Sequence, residues 1–396
     1  MRVRKNVKQL TPAEKAAFVN AVLSLKGRPS ILHPGNPALS RYDDYPEIHM
    51  NAMMANPGWA HRGPAFFPWH RELLLQFEND LVAADSSVTI PYWDWTDAAS
   101  SPFTADLLGG DGDPTQARKV TTGPFAHEGP NHWTIMVKDD AGDPDYLERE
   151  FGVDPTAPAP PTGADVNTVV AMSTTYDSSP WTGGSAGFRA SLEINLHNLV
   201  HRWVGGTMGL MTSPNDPVFW LHHCNIDRLW AVWQRIHPGA SPYLPVSGAA
   251  PGHNLMDTLI FNDVPPPPWP GSATPYSVIN HHALGYRYDD EFSLVIPRPP
   301  LSFVRILFGV INDAPGVIIG PDGKPHPVPG GPGDPWFHLT ELERSELVAM
   351  AIHEAAALLP DVRASRSIQD LALPHLGERL RQQLNSIHAA EKTPLR

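Results

Sequence analysis

SPNDPVFWLHHCNIDRLW, Ser213–Trp230, is the stretch whose reading decides the fold. Asp216 followed by Pro217 is a helix cap with a proline in the first turn, so a helix is expected over 216–236. It carries His223. Four residues on, Asp227 is spaced to accept a hydrogen bond within that helix and so to support a metal ligand. Upstream, Ser191–Val204 has apolar residues at helical spacing, at Leu192, Leu196, Leu199, Val200 and Trp203. Within it, LHNLVH (Leu196–His201) sets His197 and His201 four apart, on one helix face and about 5–6 Å from each other. Further upstream, HRGPAFFPWH (His61–His70) ends where HRELLLQFENDLVA opens a helix with a core stripe of Leu73, Leu74, Phe77 and Leu81. His61 lies across a Gly-Pro turn from it, and His49 follows YDDYPEI on another expected helix.

Six histidines thus fall into two triplets, His49, His61 and His70, and His197, His201 and His223. Neutral imidazole is the commonest metal ligand near neutral pH. Three protein ligands leave coordination positions open for chemistry, unlike a closed structural site. Two triplets suggest a binuclear centre. The donor type alone leaves zinc, copper, iron and nickel open; the lack of a carboxylate or thiolate in either triplet argues against non-haem iron. The remaining histidines, among them His253, His281 and His282, read as ordinary core or surface groups.

Proline sets the organisation. The 44 prolines in 396 residues are roughly twice the usual share. They concentrate at Pro155–Pro161, Val264–Pro270, Pro297–Pro300 and Gly320–Pro335, which read as extended loops. Between them, helices are expected near 11–25, 42–55, 67–84, 191–204, 216–236, 339–358 and 367–391. The fold class is mainly α, with four helices carrying five of the six histidines in a bundle around the metals. Net charge is −13, which argues against nucleic acid and anionic membrane as partners. No run of 18 apolar residues spans a membrane. Cys224 is the single cysteine, so no intrachain disulfide forms, and it reads as a small buried residue. The charged N-terminal stretch has no secretory signal, so a cytoplasmic setting is expected.

HRGPAFFPWHREL, IPYWDW (Ile90–Trp95), LHNLVHRWVGG and SPNDPVFWLHHCNIDRLWAVWQ resemble the two copper-binding regions of the tyrosinase family. That family also includes catechol oxidases, o-aminophenol oxidases and molluscan haemocyanins. The likeness runs from about Arg4 to Asp289 and closes on LGYRYDD, similar to the Tyr-x-Tyr end of the family's core domain. A tyrosinase-like dicopper domain over 1–290 and a C-terminal extension over 291–396 are therefore expected. The resemblance implies that His49, His61 and His70 bind one copper and His197, His201 and His223 the other, choosing His223 over His222. It implies O2 as co-substrate and a small phenol as substrate, hydroxylated at the ortho position and oxidised to an o-quinone. An oxidase of catechols or o-aminophenols alone, or an oxygen carrier, is the alternative. Trp59 and Ala60 stand before His61, so the Cys–His thioether of fungal, plant and molluscan relatives is absent. Some relatives leave the cell on a partner protein, and this chain has nothing that forbids that route.

The same resemblance gives Glu193, one turn before His197, and Asn198, directly after it, the task of holding a water that takes the phenol proton. Glu193 also reads as a charge at a helix N-terminus. Arg202, beside His201, is a candidate contact for a substrate carboxylate or an outward solvated side chain. The C-terminal extension has amphipathic helical blocks and reads as a packing or oligomerisation segment, or as a lid over the coppers. The oligomeric state is not legible.

Overall fold

A computed structural model of the chain describes residues 1–261, 269 and 271–292, with the backbone of Val317–Ile319 and Pro325–Pro327. The chain divides into two compact units, Met1–Leu294 and Val295–Arg396. In the second, Val317–Ile319 pairs antiparallel with Pro325–Pro327. The helices expected at 339–358 and 367–391 lie outside the described residues.

The first unit is helical with a few short strands. In chain order it contains β1 (Arg2–Arg4), α1 (Pro12–Lys26), α2 (Arg41–Met54), α3 (Phe66–Ala84), β2 (Gly112–Asp113), β3 (Lys119–Val120) and α4 (Gly163–Met172). Then come α5 (Phe188–Ser191), a π-helical turn (Leu192–His197), α6 (Asn198–Val204), α7 (Val218–Ile236) and β4 (Tyr286–Tyr288). Reciprocal capping boxes start α1 at Thr11/Glu14 and α2 at Ser40/Asp43. Another, Thr162/Asp165, starts α4 just after a proline run read as loop. Helix α7 begins two residues later than expected, and Asp216 Oδ1 accepts the Val218 N–H at 3.0 Å.

The helices α2, α3, α5–α6 and α7 are the expected four, and they carry five of the six histidines. Between α3 and α7 the Phe77 and Trp220 rings stack at 3.6 Å, and Phe67 lies on Trp230 at 5.3 Å. Beside these rings sits a knot of buried charge. Asp227 accepts from Arg71 Nε at 2.5 Å, from Arg4 at 3.2 Å, from the Tyr286 hydroxyl at 2.6 Å and from the Tyr288 hydroxyl. Arg4 also pairs with Glu78 at 3.1 Å. The expectation that Asp227 supports a ligand within its own helix is therefore corrected. It ties α7 to α3 and to the parallel pair β1–β4, which joins Arg2 to Tyr286 and Arg4 to Tyr288.

The stretch expected as a plain helix from Ser191 is longer and interrupted. It starts at Phe188, widens into the π turn, and ends where Gly205 takes a positive φ of 65°. In the widened turn the Asn198 N–H reaches back five residues to the Glu193 carbonyl. Such insertions re-aim side chains and are common at functional sites. Among the described residues no helix is long and apolar enough to cross a membrane.

Candidate metal centre

The bundle brings the two sequence-spaced triplets face to face. His49 comes from α2, His70 from α3, His197 and His201 from the π turn and α6, and His223 from α7, while His61 comes from the loop before α3. Within the first triplet the His49 and His61 Nε2 atoms are 3.1 Å apart. In the second, the His197 and His223 Nε2 atoms are 3.3 Å apart. Across the gap the His70 and His223 rings stack at 4.2 Å, and His61 lies 5.5 Å from His197. Phe66 packs against His61, His70 and His197 at 5.6, 4.9 and 5.0 Å and fills the space beside them.

What each ring does with its other nitrogen settles what the centre can hold. Nδ1 of His49 donates to the Met211 carbonyl at 2.6 Å, that of His70 to Phe66 at 2.7 Å, and that of His201 to Met208 at 2.7 Å. His197 Nδ1 faces the Asn198 side-chain oxygen at 2.9 Å, and His61 Nδ1 faces a Glu193 oxygen at 3.5 Å. A ring whose Nδ1 proton is engaged this way turns an Nε2 lone pair inward. Nε2 of His70 and of His201 is buried with no protein partner. An unsatisfied buried polar atom costs about 1–3 kcal/mol. A cation bound by Nε2 of His70 and of His201 removes that penalty at each. Burial holds His49, His70, His197 and His223 well below the usual imidazole pKa and His201 at about 4. The rings are neutral at pH 7, the state a metal needs.

The second group contains four imidazoles. His222 joins His197, His201 and His223, although sequence reasoning set it aside. It is fully buried and stacks on His197 at 5.1 Å and against Trp95 at 5.3 Å. Of the adjacent pair His222 and His223, it is His223 that faces the first triplet, stacking on His70 and lying near Phe66. Cys224 belongs to none of the metal-competent groups found among the described residues; its thiol points at the Ile90 carbonyl.

The polar candidates are placed as follows. Glu193 is buried, with one oxygen accepting the Arg62 N–H at 2.6 Å and the other bonded to Arg189 at 2.8 Å. Burial favours its neutral form, yet His61, Arg189 and the Arg62 amide outweigh that and hold the carboxyl below its usual range. Because the π turn separates it from His197, its nearest ring is His61. Arg189 is in turn fixed by Asp177 at 2.8 Å and the Thr182 carbonyl. Asn198 is half-buried beside His197, and Arg202 is exposed on α6.

Another missed residue is His253. Its Nδ1 accepts the Ala65 N–H at 3.2 Å and its Nε2 donates to the Gly58 carbonyl at 2.7 Å, so it grips both ends of the loop that carries His61. Gly63 is required there, because a Cβ would sit 2.6 Å from the His253 ring. No periodicity announces such a contact 195 residues away. A separate cleft of about 900 Å³, lined by Lys26, Asp43 and Trp133 among others, contains none of the clustered histidines.

Residues 39–236 match the common central domain of tyrosinase. The chain is 43% identical over 303 residues to a tyrosinase of Streptomyces glaucescens, covering 74% of this chain and 100% of that protein. It is 35% identical over 328 residues to grixazone synthase of Streptomyces griseus subsp. griseus, covering 73% and 99%. Among solved structures it is similar to a variant of the polyphenol oxidase from Thermothelomyces thermophila, at 25% identity and a TM-score of 0.53, over 73% of this chain and 88% of that one. Paired imidazole groups with inward lone pairs and the match over the whole length of bacterial relatives agree: the chain belongs to the tyrosinase family of dicopper phenol oxidases, with two copper ions as cofactor and O2 as co-substrate.

Proposed function

We propose that this chain hydroxylates monophenols at the ortho position and oxidises the resulting o-diphenols to o-quinones. His49, His61 and His70 hold one copper, and His197, His201 and His223 hold the other. The observation that carries the ligand assignment is the set of Nδ1–carbonyl bonds at His49, His70 and His201, which aim three Nε2 lone pairs at the centre. In outline, a monophenol and O2 give an o-quinone and water, and two catechols and O2 give two o-quinones and two waters. The bound copper pair supplies the electrons that let O2 react with an aromatic ring.

The chain's own residues do the rest. His61, Asn198 and His201 are the partly exposed members of the site and form the side on which a phenol enters. Phe66 offers an aromatic face at the centre. A phenol must lose a proton whose pKa is about 10, and Glu193 with Asn198 is the polar pair available to receive it through water. The ionised state of Glu193 supports this. Replacing Glu193 by Gln should slow monophenol hydroxylation by about tenfold to ten-thousandfold, the range for loss of a general base, and slow catechol oxidation much less. Equal losses on both substrates would make Glu193 a support for His61 alone.

A second reading has its own observation. Both oxygens of Glu193 are already engaged, by the Arg62 amide and by Arg189. A carboxylate so occupied is a poor base, which favours an oxidase of catechols or o-aminophenols without hydroxylation. A panel of tyrosine, tyramine, simple phenols, catechol and o-aminophenols separates the two. A quinone product from the monophenols supports the first reading; turnover of catechols and aminophenols alone supports the second.

A further inference from the structure

A third group of metal-competent side chains, His281, His282 and Glu291, lies outside the dicopper centre, with its donor atoms within 4.8 Å of one another. The turn that assembles it is fixed by its own backbone. The His282 N–H donates to Asn280 Oδ1 at 2.9 Å, Leu284 N–H to the His281 carbonyl at 3.2 Å, and Gly285 N–H to the His282 carbonyl at 3.0 Å. Gly285, at φ 88°, then turns the chain into β4. Beyond β4 the chain bends back, and Glu291 Oε1 accepts the Tyr288 N–H at 3.0 Å. The two residues before Glu291 are held as well. Asp289 accepts from the Asn6 amide and the Tyr92 hydroxyl, both at 2.8 Å, and Asp290 pairs with Arg228 at 2.6 Å.

Side chains of adjacent residues usually diverge. Here they converge on one carboxylate: His281 Nε2 is 2.7 Å from Oε1 and His282 Nε2 is 2.6 Å from Oε2, with the rings 4.3 Å apart. We propose that His281, His282 and Glu291 bind one divalent transition-metal ion of the zinc class, separate from the two coppers. Two imidazoles and a carboxylate are a donor set that zinc accepts, with bonds of about 2.0–2.2 Å. Hard cations such as calcium prefer oxygen alone. Tetrahedral geometry at those bond lengths sets donor atoms roughly 3.3 Å apart. The carboxylate and rings therefore need to part by about half an ångström, and His282, whose side chain is 31% exposed, has the freedom to do so. Its exposure also gives an ion a way in and leaves a coordination position for water. The bound ion closes the loop from His281 to Glu291 and fixes β4 against the core, just before the end of the first unit.

The test is zinc titration of the full-length, copper-loaded protein, read by calorimetry and by metal analysis after dialysis. With copper supplied at two equivalents per chain the two three-imidazole sites fill first, and because copper outcompetes zinc at imidazole sites zinc should not displace it from them. Wild-type protein should take up one zinc while keeping two coppers. His282→Ala and Glu291→Gln should each weaken zinc binding at least tenfold with two coppers retained, the copper count reporting that the variants are folded. His282→Cys, which keeps a zinc ligand, should restore binding. Wild-type protein that takes up no zinc would overturn the proposal. So would equal zinc binding by wild type and both variants, or copper lost in step with zinc.

Discussion

For a single histidine the decisive property is which ring nitrogen is already engaged. His49, His70 and His201 each give Nδ1–H to a main-chain carbonyl, and those carbonyls belong to Met211, Phe66 and Met208. Only two of them lie within seven residues of their histidine. What each ring faces separates His222 from His223. Neither ring nitrogen of His222 finds a partner, and its neighbours are His197 and Trp95. His223 faces the opposite triplet. Replacing His223 by Ala should lower copper to about one per chain, whereas His222→Ala should keep two; metal analysis of both variants decides, and the reverse result would exchange their roles. The spacing of His197 and His201 and the aromatic setting of His70 and His223 made six of the clustered imidazoles legible in the sequence. His222 was not, because successive helix residues point about 100° apart and only the π turn curls enough imidazole around it. Asp227 was misread for a related reason. Its partners Arg71, Arg4 and Tyr286 lie 156, 223 and 59 residues away, beyond any local spacing rule.

At the level of elements, five of the six clustered imidazoles sit on helices and His61 sits on a loop. Helix periodicity announced the bundle, and the observed boundaries of α1, α2, α3 and α7 fall within two residues of the expected ones. The loop had no such signal. With no thioether to anchor His61, the chain uses His253, which bonds to Gly58 and Ala65, and Glu193, which bonds to the Arg62 amide. His253→Ala should therefore weaken copper binding at the first site by about ten- to hundredfold, the usual cost of losing a group that orients a ligand, and leave the second copper in place. Stepwise chelation of the variant, followed by metal analysis, measures this. Two coppers lost at the wild-type rate would show that the loop holds itself. Gly63→Ala should produce the same defect, since its Cβ would sit 2.6 Å from the His253 ring.

For the whole molecule, buried charge and buried imidazole set how stability responds to mutation and to acid. Arg71 and Asp227 are fully or almost fully buried and paired. Arg71→Met leaves Asp227 short of a partner and should cost about 3–5 kcal/mol, seen as a lower urea midpoint. In the copper-free protein burial holds His49, His70, His197 and His223 well below their unfolded value of about 6.5, and His201 at about 4. The unfolded chain then takes up protons that the folded one refuses. Stability should be full above pH 6.5 and fall toward pH 4, by up to about 1.4 kcal/mol per pH unit for each such histidine. Urea midpoints of copper-free protein that do not change between about pH 7.5 and 5 would contradict the burial of these rings. In the C-terminal unit the Pro/Gly-rich run Gly320–Pro335 should be the first site of limited proteolysis; a several-fold rise in phenol oxidase activity on nicking would identify the segment as a lid, and unchanged activity as packing. The central claim is that six imidazoles divide into two copper sites that act together. Its most direct measurement is copper per chain, taken with quinone formation from catechol, for the wild type and for His61→Ala and His201→Ala. Two coppers and activity in the wild type, with about one copper and no quinone in either variant, is the predicted result; full copper occupancy and retained activity in either variant would contradict it.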